Sequence, residues 1–190
     1  MRFGVLSLQG DFREHCAAVV AAGAEPVAVR LPADLEGLDA LAIPGGESTT
    51  IGKLADRYGL VEPLRRAITD GLPTLGTCAG MIFLAGSTTT DRQQVQLGVL
   101  DVVVRRNAFG SQVASFETDL DVAGIDGPVR AVFIRAPWIE KVGSGVEVLA
   151  AVDGHPVMVR QGAIVATSFH PELTGDTRIH TLMLQAAGRA

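Results

Sequence analysis

The chain has 190 residues, of which 47% are hydrophobic, 22 are glycine and only two are cysteine, and it carries a formal charge of −5. That length supports one substantial core, and residues 1–190 are expected to form a single domain. The acidic balance and the scattered Lys and Arg leave no footprint for nucleic acid, and two cysteines make no disulfide framework.

The pattern opens with an apolar strand over Arg2 to Leu8, followed by helical spacing from Asp11 to Ala22. Asp11 is placed as an N-cap and Gly23 as the stop. Pro26 to Leu31 and Leu38 to Ile43 read as two further strands, the second ended by Pro44-Gly45-Gly46. Residues 49–58 and 61–70 read as helices, and Leu72 to Leu75 as the next strand. From Val99 the character turns to β, with strands at Val99 to Val104, Phe116 to Leu120, Val129 to Ile134, Val146 to Ala151, Val157 to Arg160 and Ala163 to Ser168. A terminal helix over Arg178 to Ala187 closes the pattern. The alternation predicts an α/β fold, a doubly wound and mostly parallel sheet with helices on both faces, mixed in its second half by antiparallel additions at one side.

The N-terminal apolar run is too short for a signal sequence, and no stretch approaches the ~20 apolar residues of a membrane helix, so a cytoplasmic protein without membrane contact is expected.

Two segments carry chemistry. In Gly76-Thr77-Cys78-Ala79-Gly80 a cysteine sits between glycines at a strand-to-helix turn, the pattern of a nucleophile elbow. A helix starting just after Cys78 aims free amides and a positive dipole end at the sulfur. In Ser168-Phe169-His170-Pro171-Glu172 an imidazole and a carboxylate stand two residues apart, so that in extended backbone both point the same way and Glu172 can orient His170. Together Cys78, His170 and Glu172 form a candidate nucleophile, base and orienting acid. A structural cysteine behind a glycine turn is the plain alternative for the first segment alone.

Elsewhere the residue types are less specific. Gly45-Gly46-Glu47-Ser48 before a helix reads first as a turn with an N-cap. The four histidines show no metal-ligand spacing, and neither a metal nor a cofactor is expected. His15 and Cys16 are neighbours on one helix and face different ways, Cys16 being a small core residue. His155 falls in an Asp-Gly-His-Pro turn and His180 on the terminal helix, neither with an assigned role.

Six stretches across nearly the whole chain resemble the class I (triad) glutamine amidotransferases, a flavodoxin-like family, and more narrowly the glutaminase subunits of pyridoxal 5'-phosphate synthase. They are Leu8-Gln9-Gly10 with Arg13-Glu14-His15, Pro44 to Thr50, Gly76 to Gly80, Arg106-Asn107-Ala108-Phe109-Gly110, Phe133-Ile134-Arg135-Ala136-Pro137, and Ser168 to Glu172. Ser87 to Gln96 fits loosely. The resemblance implies hydrolysis of L-glutamine to glutamate and ammonia through a thioester on Cys78, with His170 and Glu172 completing the triad. It implies an oxyanion hole from the amides of Gly46 and Ala79, and substrate contacts from Gly46, Glu47, Ser48, Arg106, Ile134 and Arg135. It also implies ammonia transfer to a synthase subunit in a large hetero-oligomer, docked on the Gln9 to His15 surface, with the oxyanion hole completed only on docking.

Two other classes share parts of this pattern. A hydrolase of the flavodoxin-like cysteine superfamily would place a histidine directly after the nucleophile, where this chain has Ala79. A noncatalytic subunit of the same fold would more often have lost one of the three triad residues.

Overall fold

The computed structural model describes residues 1–89, 94–106, 108 and 115–188. Seven strands form its central sheet: β1 (Arg2–Leu6), β2 (Glu25–Val29), β3 (Ala40–Ile43), β4 (Thr74–Thr77), β10 (Glu147–Val152), β11 (His155–Gln161) and β12 (Ile164–Thr167). Their order across the sheet is β10-β11-β12-β4-β3-β1-β2. From β12 to β2 all neighbours are parallel, while β11 and β10 add on antiparallel at the β12 edge. This is the mixed, doubly wound sheet that the alternating pattern predicts.

Two-sided covering explains the composition of the central strands. β3, β4 and β12 are buried at every residue, which only a sheet packed on both faces requires. Leu41 and Ile43 join one core with helices α2 (Ser48–Arg57), α3 (Val61–Thr69) and α4 (Ala79–Leu84). Ala40 and Ala42 point the other way, into the core shared with α1 (Phe12–Ala21) and α5 (Arg178–Ala187).

Two small sheets flank this centre. One joins β5 (Ala85–Thr88), β6 (Leu100–Arg105) and β9 (Trp138–Val142); the other pairs β7 (Ser115–Leu120) with β8 (Val129–Ile134). The strands β5 and β9 are additions to the predicted elements. Ala-Gly-Ser-Thr has little strand propensity, and Trp-Ile-Glu-Lys-Val mixes apolar and charged residues on both faces, so neither segment carries an apolar alternation.

The elbow strand also moves. It runs over Thr74–Thr77 rather than from Leu72, because Pro73 has no amide to donate, while Leu75, Gly76 and Thr77 continue the pairing with β12, the first two also with β3.

Glycine lets the layers close at the sheet's carboxyl edge. A Cβ on Gly80 of α4 would collide with the carbonyl oxygen of Ile43 in β3, and one on Gly76 would crowd Leu84 and the Gly80 backbone. The Ile43 carbonyl is backbone and cannot swing aside. Gly80→Ala is therefore expected to lower unfolding free energy by about 2 kcal/mol, as overpacking a rigid contact does. Thermal or urea melts check this, and a melt unchanged from wild type would contradict the contact.

Candidate active site

Four adjacent parallel strands deliver the site. β1, β3, β4 and β12 are consecutive in the sheet, and the loops after them carry Gln9 to Asp11, Gly45 to Ser48, Cys78 and His170. An open α/β sheet binds ligands at this edge. A cavity of about 530 Å³ lies there, and Gly46, Cys78, Ala79, Arg106, Arg135 and His170 are among the residues that line it.

Cys78 stands at the junction of β4 and α4 with φ 49° and ψ −101°. Positive φ in a non-glycine residue is costly, and its surroundings hold it there. Its amide donates to the Thr167 carbonyl at 2.8 Å, and its carbonyl accepts from the Ile82 amide at 3.3 Å. The residue is 7% exposed, with Sγ 4.0 Å from the Ile134 carbonyl.

His170 and Glu172 meet by a different geometry from the extended one that their spacing suggests. Residues Pro171–Leu173 form a 3-10 turn, and this turn brings Glu172 Oε1 to 2.7 Å from His170 Nδ1. Pro171 at the first turn position fixes the geometry. The remaining ring nitrogen of His170 is thereby left for the cavity.

Burial opposes a charge on His170, yet contacts from Asp11, Cys78 and Glu172 outweigh it and push the imidazole up to about 12. The ring is thus an imidazolium at neutral pH, the counter-ion a thiolate requires. Burial pushes the Glu172 carboxyl up, and its contact with that imidazolium opposes the rise.

Asp11 is a correction. It occupies the N-cap position of α1 but makes no side-chain cap bond. Its Oδ2 instead lies 3.4 Å from His170 Nδ1, and the contact lowers its own pKa. Asp11, His170 and Glu172 also form a cluster of potential metal donors, and their mutual ion pairs already account for the grouping.

The other sequence candidates, Gly46, Glu47, Ser48, Arg106, Ile134 and Arg135, line the same cavity. Glu47 caps α2, its carboxylate accepting from the Thr49 amide at 3.1 Å and the Thr50 amide at 2.7 Å. Partial burial works against the anion, but Thr50 and Thr49 as donors hold Glu47 down at about 2. The plain turn-and-cap reading of this loop is therefore part of the structure. Arg106 donates to Glu47 Oε1 at 3.2 Å and to Gln94 Oε1 at 3.2 Å. Ser48 Oγ donates to Gln94 at 3.3 Å. Gly46, with φ 147°, packs against Gln9, whose Oε1 accepts the Glu47 amide at 2.7 Å. Arg135 lines the cavity with φ 45°, a second left-handed non-glycine residue at the site. Asn107, Phe109 and Gly110, and Thr90 to Gln93 of the loosely fitting stretch, lie outside the described residues.

The segment Gln9 to His15 divides. Arg13 and Glu14 are exposed, but His15 is fully buried behind Glu172 and cannot belong to a docking surface. His180 is equally buried and lies 3.0 Å from His15. Nothing in the spacing of residues 15, 172 and 180 signals this meeting. His155 begins β11 after the Asp153-Gly154 turn, stacked on Trp138 at 3.6 Å between ring centroids. Cys16 is half-buried against the core.

Residues 5–188 match the model of the SNO glutamine amidotransferase family. The chain belongs to this family. Among curated relatives, a pyridoxal 5'-phosphate synthase subunit PdxT of Parafrankia sp. (strain EAN1pec) is 61% identical over 97% of the chain and 92% of the relative. The protein of that name from Mycobacterium tuberculosis (strain ATCC 25618 / H37Rv) is 58% identical over 96% and 94%. A crystal structure of a glutamine amidotransferase superimposes with a TM-score of 0.94 at 54% identity, covering 98% of both chains. A putative GMP synthase component from Thermoplasma acidophilum, at 18% identity and TM-score 0.72 over 100% of this chain and 95% of that one, shares the fold.

In this family member the buried histidines set an acid limit. Burial holds His15 well below the usual 6.5 and lowers His180 to about 4. Between pH 6.5 and about 4 the unfolded chain therefore takes up protons at both positions while the folded one resists, and stability falls with pH. His170 is protonated in the folded state throughout this window, and its raised pKa adds stability that is fully present below about 6.5 and so contributes no slope there. Thermal melts from pH 6 to 4.5 are expected to show a decline approaching two protons per molecule, reduced in His180→Phe; a flat profile would contradict the buried neutral pair.

Proposed function

We propose that this chain hydrolyses L-glutamine to L-glutamate and ammonia through Cys78, His170 and Glu172, and delivers the ammonia to a synthase subunit that makes pyridoxal 5'-phosphate. One observation carries the reading: a cysteine held at positive φ shares a cavity with an imidazole whose far nitrogen is fixed by a buried carboxylate. Membership of the glutamine amidotransferase family and the names of the relatives supply the substrate and the partner.

The chemistry follows from the parts. Cys78 Sγ, as thiolate, attacks the side-chain amide carbon of glutamine, and the carbonyl electrons move onto oxygen. Backbone amides of Gly46 and Ala79 receive that oxyanion. Collapse breaks the C–N bond, His170 gives its proton to the departing nitrogen, and ammonia leaves behind a thioester. Water then attacks the thioester carbon with His170 as base, releasing glutamate and restoring the thiolate. Glu172 orients the ring and stabilises its charged form without taking the proton.

Glu47, Ser48, Arg106, Ile134 and Arg135 line the same cavity and hold the amino acid portion of the substrate. A guanidinium suits its α-carboxylate because it donates in a planar fork. The whole chain acts as one glutaminase domain in the cytoplasm; among the described residues no helix is long and apolar enough to cross a membrane. Ammonia is useful only if it reaches its acceptor before it disperses, and this favours a docked synthase over free release.

Glutamate release from glutamine, measured alone and with the synthase subunit of the same organism, tests the reading. Release is expected to rise with the partner and to vanish in Cys78→Ala. Glu172→Gln should retain a residual rate, reduced by about a hundredfold. No release in either condition would leave a noncatalytic subunit of this fold, and wild-type rates in both variants would exclude the triad.

A further inference from the structure

Behind the triad lies a second pair of histidines that the mechanism above does not use. Glu172 has two carboxylate oxygens, both out of solvent, and Oε1 is taken by His170. Oε2 makes no regular hydrogen bond, and the polar atom set against it is His15 Nε2 at 3.4 Å. That same nitrogen lies 3.0 Å from Thr77 Oγ1, at the last residue of β4 before Cys78. On the other side of the ring, His15 Nδ1 is 3.0 Å from His180 Nε2, and His180 Nδ1 has no partner.

These contacts favour one arrangement of protons. A buried neutral imidazole has one N–H, and a lone pair facing the Glu172 carboxylate would be repelled. His15 therefore carries its proton on Nε2, between Thr77 and Glu172. Its Nδ1 is then an acceptor, so His180 donates from Nε2 and keeps a bare Nδ1. The reverse arrangement would strand a buried N–H on His180, and orphaned donors are the rarer and costlier case.

We propose that His15 is a positioning residue of the glutaminase site: its Nε2–H fixes the rear oxygen of Glu172, and His180 fixes the tautomer of His15. The inference rests on the triad reading of Cys78, His170 and Glu172. α1 and α5 thereby become part of the site, because each contributes one ring to a chain that runs from His180 through His15 to Glu172 and His170. The charged and titratable groups facing His170 are Asp11, Cys78 and Glu172, and behind Glu172 stands His15.

Three variants and one spectrum test it, with the wild-type glutaminase assayed beside the synthase partner as reference. His15→Phe keeps the ring's bulk and loses the donor; kcat is expected to fall about tenfold with KM within about twofold, since Glu172 acts through the imidazolium and not on bound glutamine. A less well held carboxylate stabilises the imidazolium less, so the alkaline limb of the kcat/KM profile moves to lower pH. His15→Gln sets an amide N–H near the Nε2 position and should recover most of kcat and the limb; His180→Phe should shift both in the same direction as His15→Phe. Histidine 15N spectra of the wild-type protein are expected to show His15 protonated at Nε2 and bare at Nδ1. A proton on His15 Nδ1, or a folded His15→Phe with wild-type kcat and limb, or equal loss in the Phe and Gln variants, would overturn the proposal. An inactive wild type would instead strike the triad reading itself, and the spectrum would still decide the tautomer.

Discussion

The buried contact between His170 and Glu172 is the interaction on which the rest of this molecule depends. A charged imidazole and a carboxylate, both nearly out of water, are tolerable only when each faces the other. That demand reaches far from the site. It requires a turn at Pro171–Leu173 to aim Glu172 backward, a glycine at position 45 where a Cβ would strike the His170 ring, and polar rings from α1 and α5 behind the carboxylate. Removing one partner would leave an uncompensated buried charge, a far larger loss than the pair's net contribution.

The fold was legible because its driving pattern is local. Apolar runs of four or five residues between amphipathic helical stretches are enough to specify a parallel sheet covered on both faces, and Gly23, Gly45 and Gly46 mark where segments stop. What stayed hidden were strands without an apolar alternation, such as Ala85–Thr88, whose pairing with β6 is set by the chain around it. Propensity has little to say about such segments.

The candidate site was legible in its front and hidden in its rear. Cys78 and the pair His170 and Glu172 stand in short motifs whose geometry is written in neighbouring glycines and a proline. Asp11 reads as a helix cap from its position, and only the approach of the β1 and β12 loops turns its side chain towards His170 instead. His15 and His180 are 165 residues apart in sequence, on helices whose meeting is a tertiary fact. No periodicity encodes a meeting of two faces.

This division between front and rear has a physical consequence for how the site works. The rear is closed, with His15, His180 and Glu172 out of solvent. The front is held by weaker and more exposed contacts. Glu47 is half exposed as it caps α2 and pairs with Arg106, and such a cap contributes about 1 kcal/mol and an exposed pair about 0.5 kcal/mol. Those front contacts are each comparable with a single hydrogen bond. Energy of that size cannot disturb the buried pair. The rear and the front of the cavity thus stand on one sheet edge and differ in how firmly they are held, the loop after β3 carrying the weaker contacts.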